Sequence, residues 1–177
     1  MAFPTQPSFV VHSRGWDANL LQHPVPRFLH AHEDVFDAKD LEGCKPFYAS
    51  DMTHTKSNGQ TFSGEAAVAA LRGDCSLFAG YFHEPVFCSI SETGDSYRLI
   101  GWAEMFVDLP GGGEKKYTDL QGREWECLAF WSFIYDVVKG GGSSRLPGQD
   151  VANACGPNHH LGEAIKRGIV PVEALTS

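Results

Sequence analysis

Three basic side chains are the residues of this sequence best suited to moving protons or stabilising an oxyanion. His83 stands at the entry to an apolar strand in the segment YFHEPVF, and a histidine can give and take protons near neutral pH. His54 and Lys56 lie two residues apart in the threonine-rich segment 51–57. The alternation there predicts a short strand, which places both on one face, where they could stabilise an enolate, phenolate or carboxylate. The alternatives are a core histidine bonded to backbone for His83 and a solvent-facing strand edge for the other two.

A fourth candidate, Glu104, depends on which face of its strand is buried. The residue pattern predicts a strand over 97–109 that closes at Pro110 and a triple glycine. If even positions face inward, Glu104 is a candidate base beside Trp102. If odd positions face inward, Ala103 and Met105 line the interior and the glutamate lies outside, because a slip of one residue exchanges the two faces.

The elements that must position these side chains are helices first and strands afterwards. We predict a helix after Pro26, a second over residues 41–47 with Asp40 as N-cap, and a third capped by Ser63. Strands are predicted at 86–90, 97–109 and 125–138. This order predicts an α+β domain, a cone of mostly antiparallel curved sheet closed by three N-terminal helices, with a ligand pocket at its mouth.

The composition and motifs argue against several classes of binding partner and cofactor. The net charge is -8 without a Lys/Arg cluster, which argues against binding to nucleic acid or to an anionic membrane surface. Five cysteines without C-x-x-C spacing argue against a disulfide framework and a zinc site. His30 and His32 cannot share a helix face, so we expect no metal. No nucleotide-binding motif is present, so we expect no cofactor.

The chain length sets the expected domain organisation. We predict an N-terminal arm over residues 1–18 and a single domain over 19–177. The start of the sequence has no basic region followed by an apolar run, and no apolar stretch is long enough to span a bilayer. We therefore expect a cytoplasmic protein with reduced thiols.

The sequences of two long segments resemble those of a known superfamily. The stretch DVFDAKDLEGCKPFYASDMTHTKSNGQTFSGEAAVAAL resembles the helical half of nuclear transport factor 2-like (SnoaL-like) proteins, and HEPVF, YRLIGWAEMFVDLP and WECLAFWSFIYDVV resemble their strand meander. The similarity covers about residues 28–139. It implies the cystatin-like α+β barrel of that superfamily, which includes scytalone dehydratase, ketosteroid isomerase, polyketide cyclases and non-catalytic members.

The resemblance also implies site residues. His83 corresponds to a pocket histidine of scytalone dehydratase-like chains, and Asp37 to a pocket-side aspartate. The alternative for Asp37, slightly favoured, is a loop residue at the end of the first helix. Lys56 stands where those relatives place a general base or a tyrosine, so a cation replaces a carboxylate or phenol. The match favours the odd face of strand 97–109 inward. Trp131 replaces an oxyanion-binding asparagine or aspartate, although its indole N–H can still donate. The other expected lining residues are Ala129, Phe133, Met105, Trp102 and Tyr117, the last being either a lid or a hairpin tip.

The function that these expectations favour is a cofactor-independent isomerase, cyclase or dehydratase for a polycyclic or polyketide-like molecule. His83 would shuttle the proton, and His54 and Lys56 would stabilise the oxyanion inside an aromatic wall. The resemblance is to fungal natural-product enzymes in particular, and a homodimer or other homo-oligomer is expected. The alternative is a non-catalytic ligand-binding or dimerisation module of the same fold. An epoxide hydrolase ranks last, because Arg72 and Arg98 do not supply the Asp-Arg-Asp set that it needs.

Overall fold

In the part of the chain that it describes, the computed structural model has two α-helices, a seven-stranded sheet and a two-stranded sheet. It describes residues 7–56, 59–94 and 96–138, and the backbone of 145–150. The helices are α1 (Pro24–Asp37) and α2 (Glu65–Cys75). The strands are β1 (Phe9–His12), β2 (Tyr48–Thr55), β3 (Thr61–Ser63), β4 (Gly80–Thr93), β5 (Ser96–Asp108), β6 (Tyr117–Thr118), β7 (Glu124–Trp125), β8 (Cys127–Val138) and β9 (Arg145–Asp150). The α+β class is therefore confirmed.

The sheet has the order β1-β4-β5-β8-β9-β2-β3, and every neighbouring pair except β9 and β2 is antiparallel. The pair β6 and β7 forms a separate two-stranded sheet. Within the described residues β1 and β3 are the free edges, so the sheet is open and the expected closed barrel is wrong. No helix in the described part of the chain is long and apolar enough to cross a bilayer.

Helix α1 forms because its buried residues recur at helical spacing. Val25, Leu29 and Phe36 are at most 8% exposed and lie on one face, which packs towards β4. Pro24 is tolerated at the first helical position, and the His23 ring accepts the Val25 N–H at 3.2 Å as an N-cap. The same face carries the two acidic residues of the candidate site described below.

The predicted second helix is absent from the structure. Residues 41–44 form turns, and only a short 3₁₀ turn, Lys45–Phe47, precedes β2. The Asp40 carboxylate accepts the Gly43 N–H at 2.9 Å, which closes a tight turn in place of a helix N-terminus. Pro46 inside the segment also removes a backbone donor. The domain therefore has two helices among its described residues, where we expected three.

Other boundaries also differ from expectation. Helix α2 begins after Gly64, whose φ of 57° suits a glycine, and no side chain caps it, so Ser63 is the end of β3 and not the N-cap. The predicted arm over 1–18 contains β1, which pairs with β4. A proposed strand over 125–138 is interrupted at Glu126, between β7 and β8. The extent of the single domain stays a prediction, since residues 151–177 lie outside the described residues.

Candidate functional site

The site is built around His83, where β4 passes under α1. Before a bulge between Pro85 and Phe87, the odd residues Tyr81 and His83 are buried, and after it the even residues Cys88 and Ile90 are buried. A bulge inserts one residue and so reverses the alternation. Its position next to the site turns His83 inward while the remainder of β4 still packs in the core.

Asp37, the last residue of α1, holds this histidine. Its Oδ1 lies 2.7 Å from His83 Nδ1, and its Oδ2 accepts the His83 backbone N–H at 3.0 Å. Both side chains are about nine-tenths buried. Since an ionised carboxylate only accepts, Nδ1 carries a hydrogen, and Nε2 is the ring nitrogen that can meet a ligand.

A second carboxylate approaches the same ring. Glu33 lies one helical turn before Asp37, and its Oε2 is 3.6 Å from His83 Nδ1. Its other oxygen is 3.3 Å from His32 Nδ1, and His32 Nε2 lies 3.0 Å from the Tyr48 hydroxyl. Sequence reasoning missed Glu33, His32 and Tyr48 as members of the site. The signal for Glu33 was its i,i+4 spacing from Asp37 on one helix face.

The electrostatics favour a charged imidazole. Burial by itself would lower the pKa of His83, but the charge and hydrogen bond of Asp37 and the charge of Glu33 raise it to about 9. Burial raises the pKa of Asp37, with His83 opposing that shift. The pKa of Glu33 is lowered, because its hydrogen bond from His32 and the charges of His32 and His83 outweigh its burial. At neutral pH His83 is therefore an imidazolium, with the Asp37 and Glu33 side chains beside it.

A small cavity lies against these groups and is mostly apolar. The space open to the centre of a water-sized sphere is about 30 Å³, enough for one or two water molecules. A substrate ring therefore requires the lining to move apart, and Trp16, on the partly exposed loop after β1, stands at its wall. The lining residues are Trp16, Leu29, His32, Glu33, Phe36, His83, Pro85, Ala103, Trp131, Phe133 and Tyr135.

Three of the expected site or lining residues meet at this cavity. His83, Trp131 and Phe133 line it, and Asp37 contacts His83 directly. The Trp131 ring stands edge-on to the His83 ring, with centroids 6.0 Å apart. Ala103 is buried on β5 and also lines the cavity, so the odd face of β5 is the inner one.

His54 and Lys56 do not line this cavity. Both pair with Asp74 of α2, at 3.3 Å through His54 Nε2 and 2.8 Å through Lys56 Nζ. The side chains of His54 and Lys56 therefore contact an acidic residue of α2. The expectation that these two residues and His83 converge on one pocket is wrong.

The other candidate residues lie elsewhere. Glu104 faces outward on β5, opposite Glu84 on β4, and Trp102 is 39% exposed on that outer face, stacked on Phe87 at 4.3 Å. Met105 and Ala129 are buried core residues that do not line the cavity. Tyr117 lies on β6, paired with Trp125, and is not among the lining residues either.

Metal binding has one geometric candidate in the described part of the chain. The ligand atoms of Glu33, Asp37 and His83 lie within 4.8 Å of one another. The 2.7 Å contact between Asp37 and His83 Nδ1 is a direct hydrogen bond, so these two atoms are already paired with each other. The geometry is that of a proton-linked pair with a second carboxylate nearby. The four described cysteines are buried free thiols.

Comparisons with known proteins identify the fold of the chain and do not identify its function. Neither a family model nor a curated protein sequence matches the chain. Solved structures do match, among them a proposed scytalone dehydratase from Novosphingobium aromaticivorans (TM-score 0.58, 14% identity, 74% of this chain and 82% of that one). Two others are an NTF2-like protein with a cystatin-like fold from the same organism (0.55, 16%, 77% and 83%) and a proposed NTF2-like dehydratase from Streptomyces avermitilis (0.60, 8%, 79% and 100%). The chain has the nuclear transport factor 2-like, cystatin-like fold that its sequence predicted.

Proposed function

We propose that this protein is a cofactor-independent isomerase, cyclase or dehydratase that acts on a polycyclic or polyketide-like carbonyl compound by acid–base catalysis. The observation that carries this proposal is the buried His83–Asp37 pair, 2.7 Å apart, beside an aromatic-walled cavity. A pair of this kind orients an imidazole and holds its proton for transfer to substrate oxygen. Dehydratases among the solved structures of this fold lend it support.

In the proposed reaction His83 acts first as an acid. Its Nε2–H donates to a carbonyl or leaving hydroxyl oxygen, and Asp37 stabilises the imidazolium before transfer. Trp131, Phe133 and Phe36 hold the ring and exclude water. His54 and Lys56, which pair with Asp74, have no part in this reaction.

A β-hydroxy ketone tests the proposal. 4-Hydroxy-2-tetralone loses water to give 2-naphthol, which is followed by its absorbance. We expect the protein to accelerate this step, and His83→Gln to lower the rate at least about 100-fold, whereas His12→Gln, an exposed histidine of β1, leaves it unchanged. EDTA should not change the rate.

Binding of 2-naphthol without acceleration of water loss, and without exchange of the α-protons of 2-tetralone, would overturn this function. The non-catalytic binding-module alternative would then take its place.

We also propose that the chain forms a homo-oligomer through the outer face of the sheet. Ile100, Trp102 and Phe130 are 39–49% exposed on neighbouring strands of that face, and clustered exposed apolar side chains mark association surfaces. Sedimentation equilibrium of the wild type should show a dimer or larger species. The variant Trp102→Ser should shift it towards monomer, and a monomeric wild type would contradict the proposal.

A further inference from the structure

Glu33 is a buried carboxylate with one oxygen that has no hydrogen bond. The residue is 8% exposed, and its Oε2 finds no hydrogen-bond partner among the residues that the structure describes. Glu33 lines the cavity together with His83. Burying a charged oxygen without a hydrogen bond is costly in a folded protein, and the His83 ring 3.6 Å away offsets part of that cost.

The other oxygen of Glu33 is held in place by a chain of two residues. A carboxylate only accepts, so His32 Nδ1 donates across 3.3 Å, and His32 Nε2 lies 3.0 Å from the Tyr48 hydroxyl. His32 is 2% and Tyr48 8% exposed. The chain fixes the carboxylate through Oε1 and leaves Oε2 without a hydrogen bond.

Glu33 is not required to orient His83. Asp37 already contacts both the Nδ1 and the backbone N–H of that residue, while Glu33 Oε2 stands off at 3.6 Å, beyond hydrogen-bond length. The cavity is therefore lined by one group that can donate a proton and one that can accept a proton. His83 has a proton to give, and Glu33 has a carboxylate oxygen without a hydrogen bond that can receive one.

We propose that Glu33 is a second catalytic residue of this site, the base that accepts a proton from a carbon next to the substrate carbonyl while His83 serves the substrate oxygen. The inference rests on the proposed function and extends it to a named acid–base pair. It restricts the substrate to a ketone or related carbonyl compound with an acidic α-hydrogen.

Protons are conserved in both proposed reactions, elimination of water and exchange of the α-proton. In elimination, the α C–H bond breaks to Glu33 Oε2, the electron pair forms the new C=C bond, and the β C–O bond breaks as the hydroxyl takes the His83 proton and leaves as water. That water can return the proton from Glu33 to His83. In α-proton exchange, the electron pair moves to the carbonyl oxygen, which accepts the His83 proton, and reversal in D₂O delivers deuterium to carbon.

Deuteration of 2-tetralone at carbon 1, followed by NMR in D₂O, tests the assignment. We expect Glu33→Gln to lower the exchange rate at least about 100-fold, because an amide is not a base, while its oxygen can still accept from His32. The matched control is Asp34→Asn, the next residue of α1 along from Glu33, whose side chain is 67% exposed and whose loss should leave the rate unchanged.

A wild-type exchange rate for Glu33→Gln, with His83→Gln inactive, would overturn the inference and leave the proposed function standing. Unchanged rates in both variants would overturn both. If Glu33→Gln does not fold by circular dichroism, Glu33→Asp retains the carboxylate and shortens its reach by one methylene. A rate loss of about 10-fold or more in Glu33→Asp supports the assignment, and a wild-type rate contradicts it.

Discussion

Asp37 contacts His83 at two points, the ring nitrogen Nδ1 at 2.7 Å and the backbone N–H at 3.0 Å. The two contacts come from different oxygens of one carboxylate, so the ring orientation and the strand position are fixed together. This arrangement links the end of α1 to β4 at the edge of the cavity. It makes Asp37 a positioning residue and leaves Nε2 of His83 for the substrate.

The variant Asp37→Asn should lower the rate of water loss from 4-hydroxy-2-tetralone about 100-fold. The amide keeps the size of the carboxylate but removes the charge that stabilises the imidazolium. The pKa of His83, followed by NMR of its ring protons, should fall in the same variant, a change that a merely structural role would not produce. Asp34→Asn serves as control, and an unchanged His83 pKa would contradict this assignment.

Stability should fall as the pH rises through the neutral range. The pKa of His83 is raised to about 9 in the folded state against about 6.5 when unfolded. Its contribution is therefore fully present below pH 6.5 and is lost as the pH rises towards 9.

We expect a loss of about 2 kcal/mol in the free energy of unfolding between pH 6.5 and 8.5, measured by urea unfolding. His83→Gln should remove most of that decrease, and an equal slope in the variant would refute the shift. The window ends at 8.5 because burial raises the pKa values of Cys44, Cys75 and Cys88 to about 12. Their unfolded thiols ionise above that pH and would lower stability in the same direction.

The Asp74 cluster should matter for stability and not for activity. Asp74→Ala removes the partner of His54, which is 2% exposed, and of Lys56, and should destabilise the protein by about 1–2 kcal/mol. The rate of water loss from 4-hydroxy-2-tetralone should stay at the wild-type value. Asp51→Ala, an exposed residue of β2, is the control. A large rate loss with unchanged stability would return His54 and Lys56 to the active site.

Gly101 makes room for an aromatic wall of the cavity. It lies opposite Phe133 in the pairing of β5 and β8, and a Cβ at this position would stand 2.5 Å from the Phe87 carbonyl oxygen and 2.7 Å from Phe133 Cζ. Gly101→Ala should therefore cost at least about 2 kcal/mol, measured by urea unfolding.

The contrasting substitution is Gly73→Ala in α2, where a Cβ meets nothing within 4 Å. It should stabilise the protein by about 0.5–1 kcal/mol, because alanine favours the helix. Equal effects of the two substitutions would contradict the packing described for Gly101.

The sequence predicted well those features that depend on local periodicity and on the resemblance. The long strands, the first helix and the choice of His83 and Asp37 as candidate site residues follow from them. His54 lies on β2 as predicted, whereas Lys56 follows the last residue of that strand, Thr55. Both pair with Asp74 of α2, and contacts between distant elements are not visible in local spacing. The outward position of Trp102 depended on which alternate residues of β5 face the interior. A shift of one residue reverses that assignment.

The bulge in β4 is another feature that local sequence spacing does not reveal. The reversal between Pro85 and Phe87 places both His83 and Ile90 inside, which simple alternation forbids. The turn at Asp40 and Gly43 replaced a helix for a similar reason, because a side chain that bonds to the backbone competes with helical hydrogen bonds. Glu33 was overlooked because an acidic residue on an amphipathic helix is ordinarily solvated.

The most direct test of the account is a crystal structure of the protein with 2-naphthol bound. We predict that the ring lies in the cavity between Phe36 and Trp131, with the Trp16 side chain displaced and the naphthol oxygen within about 3.2 Å of His83 Nε2. The ring edge should face Glu33 Oε2. A ligand bound away from His83, with the cavity still closed by Trp16 and Trp131, would contradict the claim that this cavity is an acid–base active site.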